Sequence, residues 1–330
     1  MGWHYDPPMH ILVIGGTAFM GPEIVRRLVA RGHHVSVLHR RDRHDLGPEV
    51  RNLQADRSDL PAVSALLGRE RFEAVFDLAY DWQRGTPAEH VEAAARGCGD
   101  RLHRYVFMSS MGAYPPGLDL RESDALAPED SPNPYVQHKV AAEHMLFRMH
   151  AESGFPVTTF RPPFVHGPHQ PFYREQFFWD RLLDRRRIIL PDGGDSAISW
   201  AYVSDVAEAC VRALEVPAAA GEAFNIGHVE RLTQRTFVEM LARVAGVEAT
   251  LVSVPRATIT AAGGQFAGPA NLYFGEYLDL PPYAPNVEKA QRVLGVTPTP
   301  IESAFRKGFE WYRAQPRRPV DYSLEDRLLT

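Results

Sequence analysis

Two periodicities alternate through the first half of the 330-residue chain, and this alternation limits the folds open to it. Short apolar runs rich in β-branched residues lie at His10–Ile14, His34–Leu38, Ala74–Leu78, Tyr105–Met108 and Val157–Phe160. Helical patterns separate these runs, at Glu23–Ala30, Pro61–Leu67, Ala88–Arg96 and Tyr135–His150. Strands joined by helices pair in parallel, and a parallel sheet is covered by those helices on both faces. The chain is therefore predicted to form an α/β fold around a doubly wound parallel sheet.

The second half of the chain is less regular. Helical patterns recur at Phe177–Leu183, Val206–Leu214, Thr236–Ala245 and Ile301–Arg313, and one more strand is predicted at Ala223–Gly227. A proline-rich loop at Arg161–Pro171 and a stretch rich in glycine, proline and aromatic residues at Gly263–Pro285 interrupt these elements. We expect a smaller, mostly C-terminal α/β domain beside the parallel sheet.

The first predicted strand runs into ILVIGGTAFMG at positions 11–21, which has the context of a phosphate-binding turn. Glycines in such a fingerprint allow the tight turn, the approach of the pyrophosphate and close helix–strand packing. Gly15 and Gly21 occupy the outer positions, and Ala18 occupies the middle one, where a methyl is tolerated at negative φ. A plain strand-to-helix turn is the alternative, but the strand before and the helix after favour a cofactor loop. The predicted loop contacts are Gly15, Thr17, Ala18, Phe19, Met20 and Gly21.

The second predicted strand ends in VLHRRDR, at the position that selects between two dinucleotides. An acidic residue there would hold the ribose hydroxyls of NAD, whereas arginine suits the 2′-phosphate of NADP. His39 stands at this position and Arg40 follows it, so we predict NADP as the cofactor, with NAD as the alternative. The other interpretation of the arginines is a solvated surface turn.

Charge and composition argue against several classes of partner. The chain has 36 basic and 41 acidic residues, and a net charge of −5 is not the footprint of nucleic-acid or anionic-membrane binding. Neither Cys98 nor Cys210 has a disulfide or metal-ligand spacing, and the histidines form no metal motif. No apolar run has transmembrane length, and the first residues lack the apolar stretch of a signal peptide. We expect a cytoplasmic protein with a flexible leader over residues 1–8, no metal, no membrane partner and no nucleic-acid partner.

A tyrosine and a lysine four residues apart mark the helix pattern in SPNPYVQHKVAAEHML. The chain has only three lysines, so the pairing of Tyr135 with Lys139 is informative. Residues at i and i+4 share a helix face, and a nearby ammonium favours the phenolate form of tyrosine. Such a tyrosine can exchange a proton with a substrate oxygen while a nicotinamide carries the hydride. Ser110 follows the strand RYVFM, and strand ends of this kind carry the sites of open α/β sheets. The alternative is an ordinary amphipathic helix beside a polar strand end.

Several motifs together resemble the extended short-chain dehydrogenase/reductase family, also called the NAD-dependent epimerase/dehydratase family. They are GGTAFMG, LQADRSD, FMSSMGAY, YVQHK, TFRPPFVHGP, WAYVSDVAEA and FNIG, and the likeness runs from about His10 to Arg313. The GGxxxxG turn resembles an atypical subgroup of the family. The resemblance implies a Rossmann-type fold, a catalytic triad and further cofactor contacts. The implied triad is Ser110, Tyr135 and Lys139, and the implied cofactor contacts also include His39, Arg40, Asp56, Arg57, Ala79, Tyr135, Lys139 and Pro162.

The chain departs from the family at positions that handle substrate. Sugar dehydratases carry Asp-Glu after the triad serine or threonine, where this chain has Met111 and Gly112. Nucleotide-sugar enzymes place an asparagine and an arginine at positions that align with Phe164 and Ile198. We therefore expect a small, more apolar substrate rather than a nucleotide sugar. The predicted substrate contacts are Met111, Phe164, Arg174 and Ile198, with Arg231 as another anion partner; candidate pocket aromatics are Phe172, Tyr173, Phe177, Phe178, Trp179, Phe266, Tyr273, Phe274 and Tyr277.

Three functions remain open. The first is an NAD(P)-dependent oxidoreductase acting on a secondary alcohol or ketone of a small molecule. The second is a nucleotide-sugar epimerase with tightly bound NAD, and the third is a non-catalytic cofactor- or RNA-binding relative. An intact triad and the acidic net charge argue against the third.

The resemblance also implies a domain division and a homodimer. The NAD(P)-binding domain is expected at 9–165, with 200–228 returning to it, and the substrate-binding domain at 166–199 and 229–320. Residues 321–330 are expected to form a C-terminal tail. The expected dimer pairs the third and fourth predicted helices, through Val140, Met145, Phe147 and Met149.

Overall fold

The computed structural model of the protein describes residues 8–99, 101–264 and 280–330. Its strands are β1 (His10–Ile14), β2 (His34–His39), β3 (Arg51–Gln54), β4 (Ala74–Asp77), β5 (Arg104–Met108), β6 (Leu118–Leu120), β7 (Val157–Arg161), β8 (Phe164–His166), β9 (Arg187–Pro191), β10 (Ala197–Ile198), β11 (Trp200–Tyr202), β12 (Glu222–Asn225), β13 (Leu232–Thr233), β14 (Thr250–Val254) and β15 (Ala284–Pro285). Its α-helices are α1 (Met20–Ala30), α2 (Leu60–Leu67), α3 (Ala88–Gly97), α4 (Pro134–Ser153), α5 (Glu175–Leu183), α6 (Val203–Glu215), α7 (Gln234–Ala245), α8 (Arg256–Ala261), α9 (Glu288–Leu294), α10 (Ile301–Arg313) and α11 (Ser323–Leu329).

Seven parallel strands form the central sheet, in the order β3-β2-β1-β4-β5-β7-β12. The strand order reverses between β1 and β4, which is the switch point where open α/β sheets bind ligands outside the carboxyl ends of the strands. The predicted doubly wound, Rossmann-type α/β fold is confirmed.

Helices cover both faces of this sheet, as the apolar character of its strands requires. On one face, α1 and α6 pack over β1 and β2 in a core that includes Val13, Val25 and Val206. On the other face, α2, α3 and α4 pack in a core that includes Leu67 and Leu146. The sheet is therefore a buried central layer. Its faces are covered by helices, and the candidate site lies at the carboxyl edge of its strands.

A second core lies outside the sheet and is dominated by aromatic residues. It joins α5, α7, α8, α10 and α11 to the parallel pair β9 and β14. Trp200 stacks on Phe237 with ring centroids 4.2 Å apart, and Phe305 meets both rings edge-on. Of the candidate pocket aromatics, Phe177, Phe178 and Trp179 belong to this core and are buried. Phe266, Tyr273, Phe274 and Tyr277 lie outside the described residues.

Residues 321–330, expected as a tail, contain helix α11, which is anchored to α5. Glu325 is buried in an ion pair with Arg181, and Leu324 is buried in the second core. Tyr322 donates a hydrogen bond to Oδ2 of Asp184 at 2.6 Å. The end of the chain therefore stabilises the helix that follows the proline-rich loop.

Two residues proposed for a dimer face point inward instead. Val140 is 0% exposed, and Met145 is buried in the core between α4 and the sheet. Phe147 and Met149 pack against the same core but are only partly buried. The apolar stripe of α4 serves mainly the monomer, which is the usual use of such a stripe.

Within the described ranges, no helix is both long and apolar enough to cross a bilayer. The same ranges contain no group of three or more metal-ligating side chains.

Candidate functional site

Three glycines form the turn between β1 and α1. A Cβ atom on Gly15 would lie 2.9 Å from the Cβ of Ala79, and φ of Gly15 is 83°. A Cβ on Gly21 would lie 2.5 Å from the carbonyl carbon of Gly16, and one on Gly16 would lie 2.8 Å from Cγ1 of Val37. The turn therefore packs against its neighbours at distances that only glycine permits.

The middle position of the turn tolerates its alanine. Ala18 does not have positive φ, and its carbonyl accepts the N–H of Gly21 at 2.9 Å. The next residue, Phe19, has φ 48° and ψ −101°, a strained combination for a side chain with Cβ. Phe19 precedes α1 and provides no side-chain cap for it. A glycine cradle at an uncapped helix N-terminus suits the pyrophosphate of a dinucleotide, so these residues fit such a cofactor.

The tautomer of His39, at the end of β2, follows from its neighbour Asn52. The side-chain nitrogen of Asn52 donates to the carbonyls of Arg41 and Asp42, so its oxygen is the acceptor. Nε2 of His39 lies 2.5 Å from that oxygen and must donate the proton. Nδ1 of His39 is left as an acceptor, and within the described part of the chain it has no hydrogen-bond partner. Burial is the main cause that lowers the pKa of His39.

Arg40 lies beside the turn and is exposed. Its Nη1 is 3.4 Å from Oδ2 of Asp81, which belongs to the loop after β4. Pairs at this distance and exposure contribute little to stability. The guanidinium can therefore change partners at small cost.

Asp56 and Arg57 follow β3 and have different surroundings. The carboxylate of Asp56 accepts the N–H of Ser58 at 3.0 Å and also pairs with Arg84, and the Ser58 bond is the main cause that lowers its pKa. Arg57 is bound through both terminal nitrogens to the buried carboxylate of Asp77. Arg57 is thus used for an internal ion pair, whereas Asp56 remains at the surface.

Helix α4 places the tyrosine and the lysine of the predicted triad on one face. The helix begins after Asn133, whose side-chain oxygen accepts the N–H of Tyr135 at 3.0 Å, and Pro134 occupies its first position. It ends at Gly154, where φ is 72°. Tyr135 therefore lies in the first turn, and Lys139 lies one turn deeper.

The structure brings the three predicted triad residues together at the carboxyl edge of the sheet. A Cβ on Gly112 would lie 3.2 Å from Oγ of Ser110 and 3.5 Å from Cε1 of Tyr135, so the two side chains flank Gly112. Oγ of Ser110 accepts the N–H of Gly112 at 3.0 Å. Nζ of Lys139 donates to the carbonyl of Met108 at 2.6 Å and lies 5.8 Å from the Tyr135 ring centroid. Hydroxyl, phenol and ammonium groups therefore share one side of the site.

Lys139 is buried among aromatic rings. Its Nζ lies 5.0 Å from the ring centroid of Phe107 and 5.3 Å from that of Tyr80. Removal from water lowers the pKa of Lys139 to about 8; Asp77 acts in the opposite direction. The ammonium is therefore charged at neutral pH but is close to its titration.

A buried ionic network supports the floor of the site and was not predicted from the sequence. Glu143 lies one turn after Lys139 and pairs with Arg161 at the end of β7, with Nη2 and Oε2 2.5 Å apart. The same carboxylate accepts a hydrogen bond from the hydroxyl of Ser109. Arg161 also donates to the hydroxyl of Tyr114 at 2.6 Å. Motif spacing alone could not link Glu143 to Arg161, because the two residues meet only after β5, α4 and β7 assemble.

An aromatic cover over Tyr135 was only partly predicted from the sequence. The indole of Trp82 is stacked on the Tyr135 ring, with centroids 5.0 Å apart and 15° between planes. Tyr80 meets Tyr135 edge-on at 4.8 Å, and Phe172 meets Trp82 edge-on at 5.5 Å. Phe172 was among the candidate pocket aromatics, whereas Trp82 lies on a loop without periodicity and no sequence pattern indicated its position.

The predicted substrate residues differ in their surroundings. Met111 follows Ser110 and is buried, and its N–H donates to the carbonyl of Pro162 at 2.9 Å. The guanidinium carbon of Arg174 lies 5.0 Å from the ring centroid of Phe164. Ile198 is only 1% exposed and belongs to the second core, so it lines that core rather than an open surface. Arg231, the other candidate anion partner, pairs with Asp119 at 2.7 Å.

Comparison with known proteins identifies the family of the chain and agrees with its fold. A sequence model of the NAD dependent epimerase/dehydratase family matches residues 11–227, more than half of the chain. The chain is 27% identical to the chloroplast stem-loop binding protein of 41 kDa b from Arabidopsis thaliana, over 97% of this chain and 84% of that protein. It is 32% identical to a 3-diazoavenalumate denitrifying reductase from Streptomyces, over 63% of this chain and 72% of that protein. Its structure is similar to that of UDP-glucose 4-epimerase from Thermotoga maritima with UDP-glucose, with a TM-score of 0.73 and 22% identity, over 92% of this chain and 99% of that one.

Proposed function

The chain belongs to the NAD-dependent epimerase/dehydratase family, and we propose that it is an NAD(P)-dependent oxidoreductase acting on a secondary alcohol or ketone of a small molecule. One observation carries the proposal: Ser110, Tyr135 and Lys139 converge at the carboxyl edge of the sheet that also holds the glycine turn after β1. Relatives in the family are named as reductases, dehydratases and epimerases, which supports an enzyme.

In this proposal the three side chains divide the proton chemistry. The hydroxyl of Tyr135 gives a proton to the substrate oxygen in reduction and takes it back in oxidation. Ser110 holds the same oxygen through its hydroxyl. The ammonium of Lys139 stabilises the phenolate formed on Tyr135 and binds the ribose of the cofactor. When bound, a nicotinamide supplies or accepts the hydride.

The loop residues Gly15, Thr17, Ala18, Phe19, Met20 and Gly21 would hold the cofactor phosphates, and Ala79 and Pro162 would lie against the nicotinamide half. We propose NADP as the preferred dinucleotide. The exposed Arg40, weakly paired with Asp81, supports a contact with the 2′-phosphate. NAD remains the alternative cofactor.

The substrate in this proposal is small and more apolar than a nucleotide sugar. A diphosphate needs cationic or amide partners when it is buried, at a cost of several kcal/mol without them. Met111 and Phe164 are apolar, and Ile198 is enclosed in the second core. Arg174 is the cation nearest to Phe164 among the contacts described above, and it would serve an anionic group of the substrate.

A panel of ketones and nucleotide sugars tests this function. Purified protein with NADPH or NADH is offered simple ketones and aromatic ketones, and oxidation of the cofactor is followed at 340 nm. Thermal-shift measurements with UDP, GDP and dTDP sugars run in parallel. Turnover of a ketone supports the proposal. Saturable stabilisation by a nucleotide sugar at micromolar concentration contradicts the substrate class and favours an epimerase.

Two other functions have specific observations in their favour. The structural likeness to a UDP-glucose 4-epimerase keeps the epimerase alternative, which predicts NAD that stays bound through purification. The match with a stem-loop binding protein spans nearly the whole chain and keeps an RNA-binding role. An electrophoretic shift with a stem-loop RNA at physiological salt would support that role, against which the net charge of −5 argues.

We also propose two lobes and a homodimer. The cofactor lobe spans 9–165 and 200–228, and the substrate lobe spans 166–199 and 229–320. The dimer would pair α3 and α4, with Phe147 and Met149 as the remaining partly exposed apolar residues. Light scattering at micromolar concentration tests it, and a monomer there removes the idea. Cys98 and Cys210 are buried free thiols, which suits the cytoplasmic location that we propose.

A further inference from the structure

The loop after β4 is a rigid turn built around Asp81. Its carboxylate accepts the N–H groups of Gln83 and Arg84 at 2.9 and 3.1 Å. Its own N–H donates to Oγ1 of Thr86 at 2.9 Å, and its carbonyl accepts the N–H of Gly85 at 2.8 Å. An aspartate that satisfies its own turn in this way fixes the backbone. The turn therefore holds the backbone of residue 82 at a constant position.

That position carries Trp82, whose side chain is 60% exposed. An indole is the largest apolar side chain, and exposure forgoes much of the free energy that its burial would provide. The ring is nevertheless ordered by aromatic contacts with Tyr80, Tyr135 and Phe172. An exposed aromatic side chain that contacts a candidate catalytic residue contributes little to a core, and it is available to contact a ligand.

Phe172 reaches Trp82 from the other side of the site. It lies on the proline-rich loop, where its N–H donates to the side-chain oxygen of the buried Gln170 at 2.6 Å. The guanidinium carbon of Arg174 lies 4.4 Å from the Phe172 ring centroid. Trp82 and Phe172 thus come from loops on either side of Tyr135, and each is held by local hydrogen bonds.

The ring faces around Tyr135 favour a flat ligand. Trp82 lies nearly parallel to Tyr135, whereas Tyr80 and Phe172 stand edge-on to their partners at 79° and 84°. Stacked and edge-on geometries are those in which aromatic rings attract one another beyond simple area burial. The hydroxyl of Tyr80, a polar group on this wall, is already engaged with Nδ1 of His138 at 3.1 Å. The aromatic surface formed by Tyr80, Trp82 and Phe172 therefore presents ring faces and ring edges to a ligand rather than hydrogen-bonding groups.

We propose that Trp82 is a substrate-specificity residue, and that the substrate carries its reacting carbonyl or alcohol on an aromatic or conjugated group that stacks against Trp82 beside Tyr135. The inference rests on the proposed oxidoreductase function and narrows its substrate class. A saturated ring of the same size lacks the π-face and binds more weakly. Phe172, whose ring meets the Trp82 indole edge-on, borders the same stacking surface.

Equilibrium binding tests this inference without requiring that the ketone be turned over. Acetophenone and cyclohexyl methyl ketone have the same carbon skeleton and carbonyl, and neither reacts when the cofactor is oxidised. Calorimetry first measures NADP⁺ and NAD⁺ binding, and then each ketone is titrated into the saturated complex. The variants are Trp82→Ala, Trp82→Phe and Leu118→Ala; Leu118 is an exposed apolar residue placed on β6.

The wild-type protein and Leu118→Ala should bind acetophenone about five- to tenfold more tightly than cyclohexyl methyl ketone, as expected for one aromatic stack. Trp82→Ala should reduce this ratio to below about twofold, and Trp82→Phe should keep most of it. An unchanged ratio in Trp82→Ala, or no preference in the wild type, overturns the inference. If neither NADP⁺ nor NAD⁺ binds, the result instead overturns the proposed function.

Discussion

The glycine turn and the aromatic cover lie at the same edge of the sheet but are built in opposite ways. The turn depends on close packing of its glycines, because an added Cβ on Gly15, Gly16 or Gly21 would come within 3 Å of a neighbouring atom. The cover depends on side chains such as Trp82, which is mostly exposed and has room to be replaced. The difference teaches that the proposed cofactor end tolerates little variation, whereas the proposed substrate end can change its ligand without changing the fold.

The largest effect is expected at Tyr135, which lies between the proposed cofactor end and the proposed substrate end. Tyr135→Phe should lower kcat by about 10²–10⁴-fold, because it removes a positioned acid or base. Affinity for the cofactor should remain nearly unchanged, since the ring is kept. Steady-state kinetics and cofactor titration measure both quantities. Tyr312→Phe is the control: its hydroxyl bonds Asp180 far from the triad, and kcat should stay unchanged. Full turnover by Tyr135→Phe would refute the triad.

A second test adds one methyl to the turn. In Gly21→Ala the new Cβ would overlap the backbone of Gly15 and Gly16, so the start of α1 must shift. We expect cofactor affinity to fall by about 10²-fold. Gly154→Ala is matched to it, because φ is 72° but no atom lies near the new Cβ. That control should lose about 1 kcal/mol of stability and no cofactor affinity. Equal cofactor binding by the two variants would show that the turn does not hold the dinucleotide.

A third test concerns the side chain that we assign to the cofactor end. Arg40→Ala should weaken NADP binding about ten- to a hundredfold and leave NAD binding nearly constant. Isothermal titration with both dinucleotides measures the difference. Arg43→Ala, a nearby exposed arginine, is the control. Tighter binding of NAD than NADP by the wild type would show that NADP is not the cofactor.

The smallest effect is expected from pH. The pKa of Lys139 is about 8 in the folded protein, below its ordinary value of 10.5. The ammonium is mostly charged below pH 8, so kcat/KM should fall about fivefold between pH 8 and 9 as the charged fraction drops. Between pH 8 and 10.5 the unfolded chain binds more protons, so this lysine makes the free energy of unfolding rise with pH. Lys139→Met should abolish both trends. Opposite trends in activity and stability are the signature, and parallel trends would contradict the assignment.

The sheet could be predicted from the sequence because its strands are buried on both faces. β1 and α10 have the predicted bounds, since apolar periodicity runs through their whole length. β3, with the sequence RNLQ, has one buried residue and therefore gives no strand pattern. The paired strands β9 and β14 form by long-range pairing that no local signal encodes. Local periodicity thus predicts what one element buries, not where two distant elements meet.

The site followed the same rule. Tyr135 and Lys139 share one helix, so their spacing alone placed them on a common face. Trp82 was missed because an isolated loop tryptophan carries no periodicity. Ile198 was expected at the substrate, but its side chain is enclosed in the second core. When an apolar residue stands where relatives have a charged one, the sequence shows that the charge is missing. It does not show whether the apolar side chain is exposed to the substrate.

The buried pair Glu143–Arg161 restricts how this sequence can diverge. Replacing either partner alone leaves an unpaired buried charge, a loss of about 3–5 kcal/mol that is comparable to the whole stability of many domains. Exchanging both for apolar residues of similar volume can be nearly neutral, but that route requires two simultaneous substitutions. The two positions should therefore vary together or not at all, while the exposed position of Trp82 is open to single changes. Single substitutions in this chain should therefore change which ligand binds at Trp82 more readily than they change the buried Glu143–Arg161 pair.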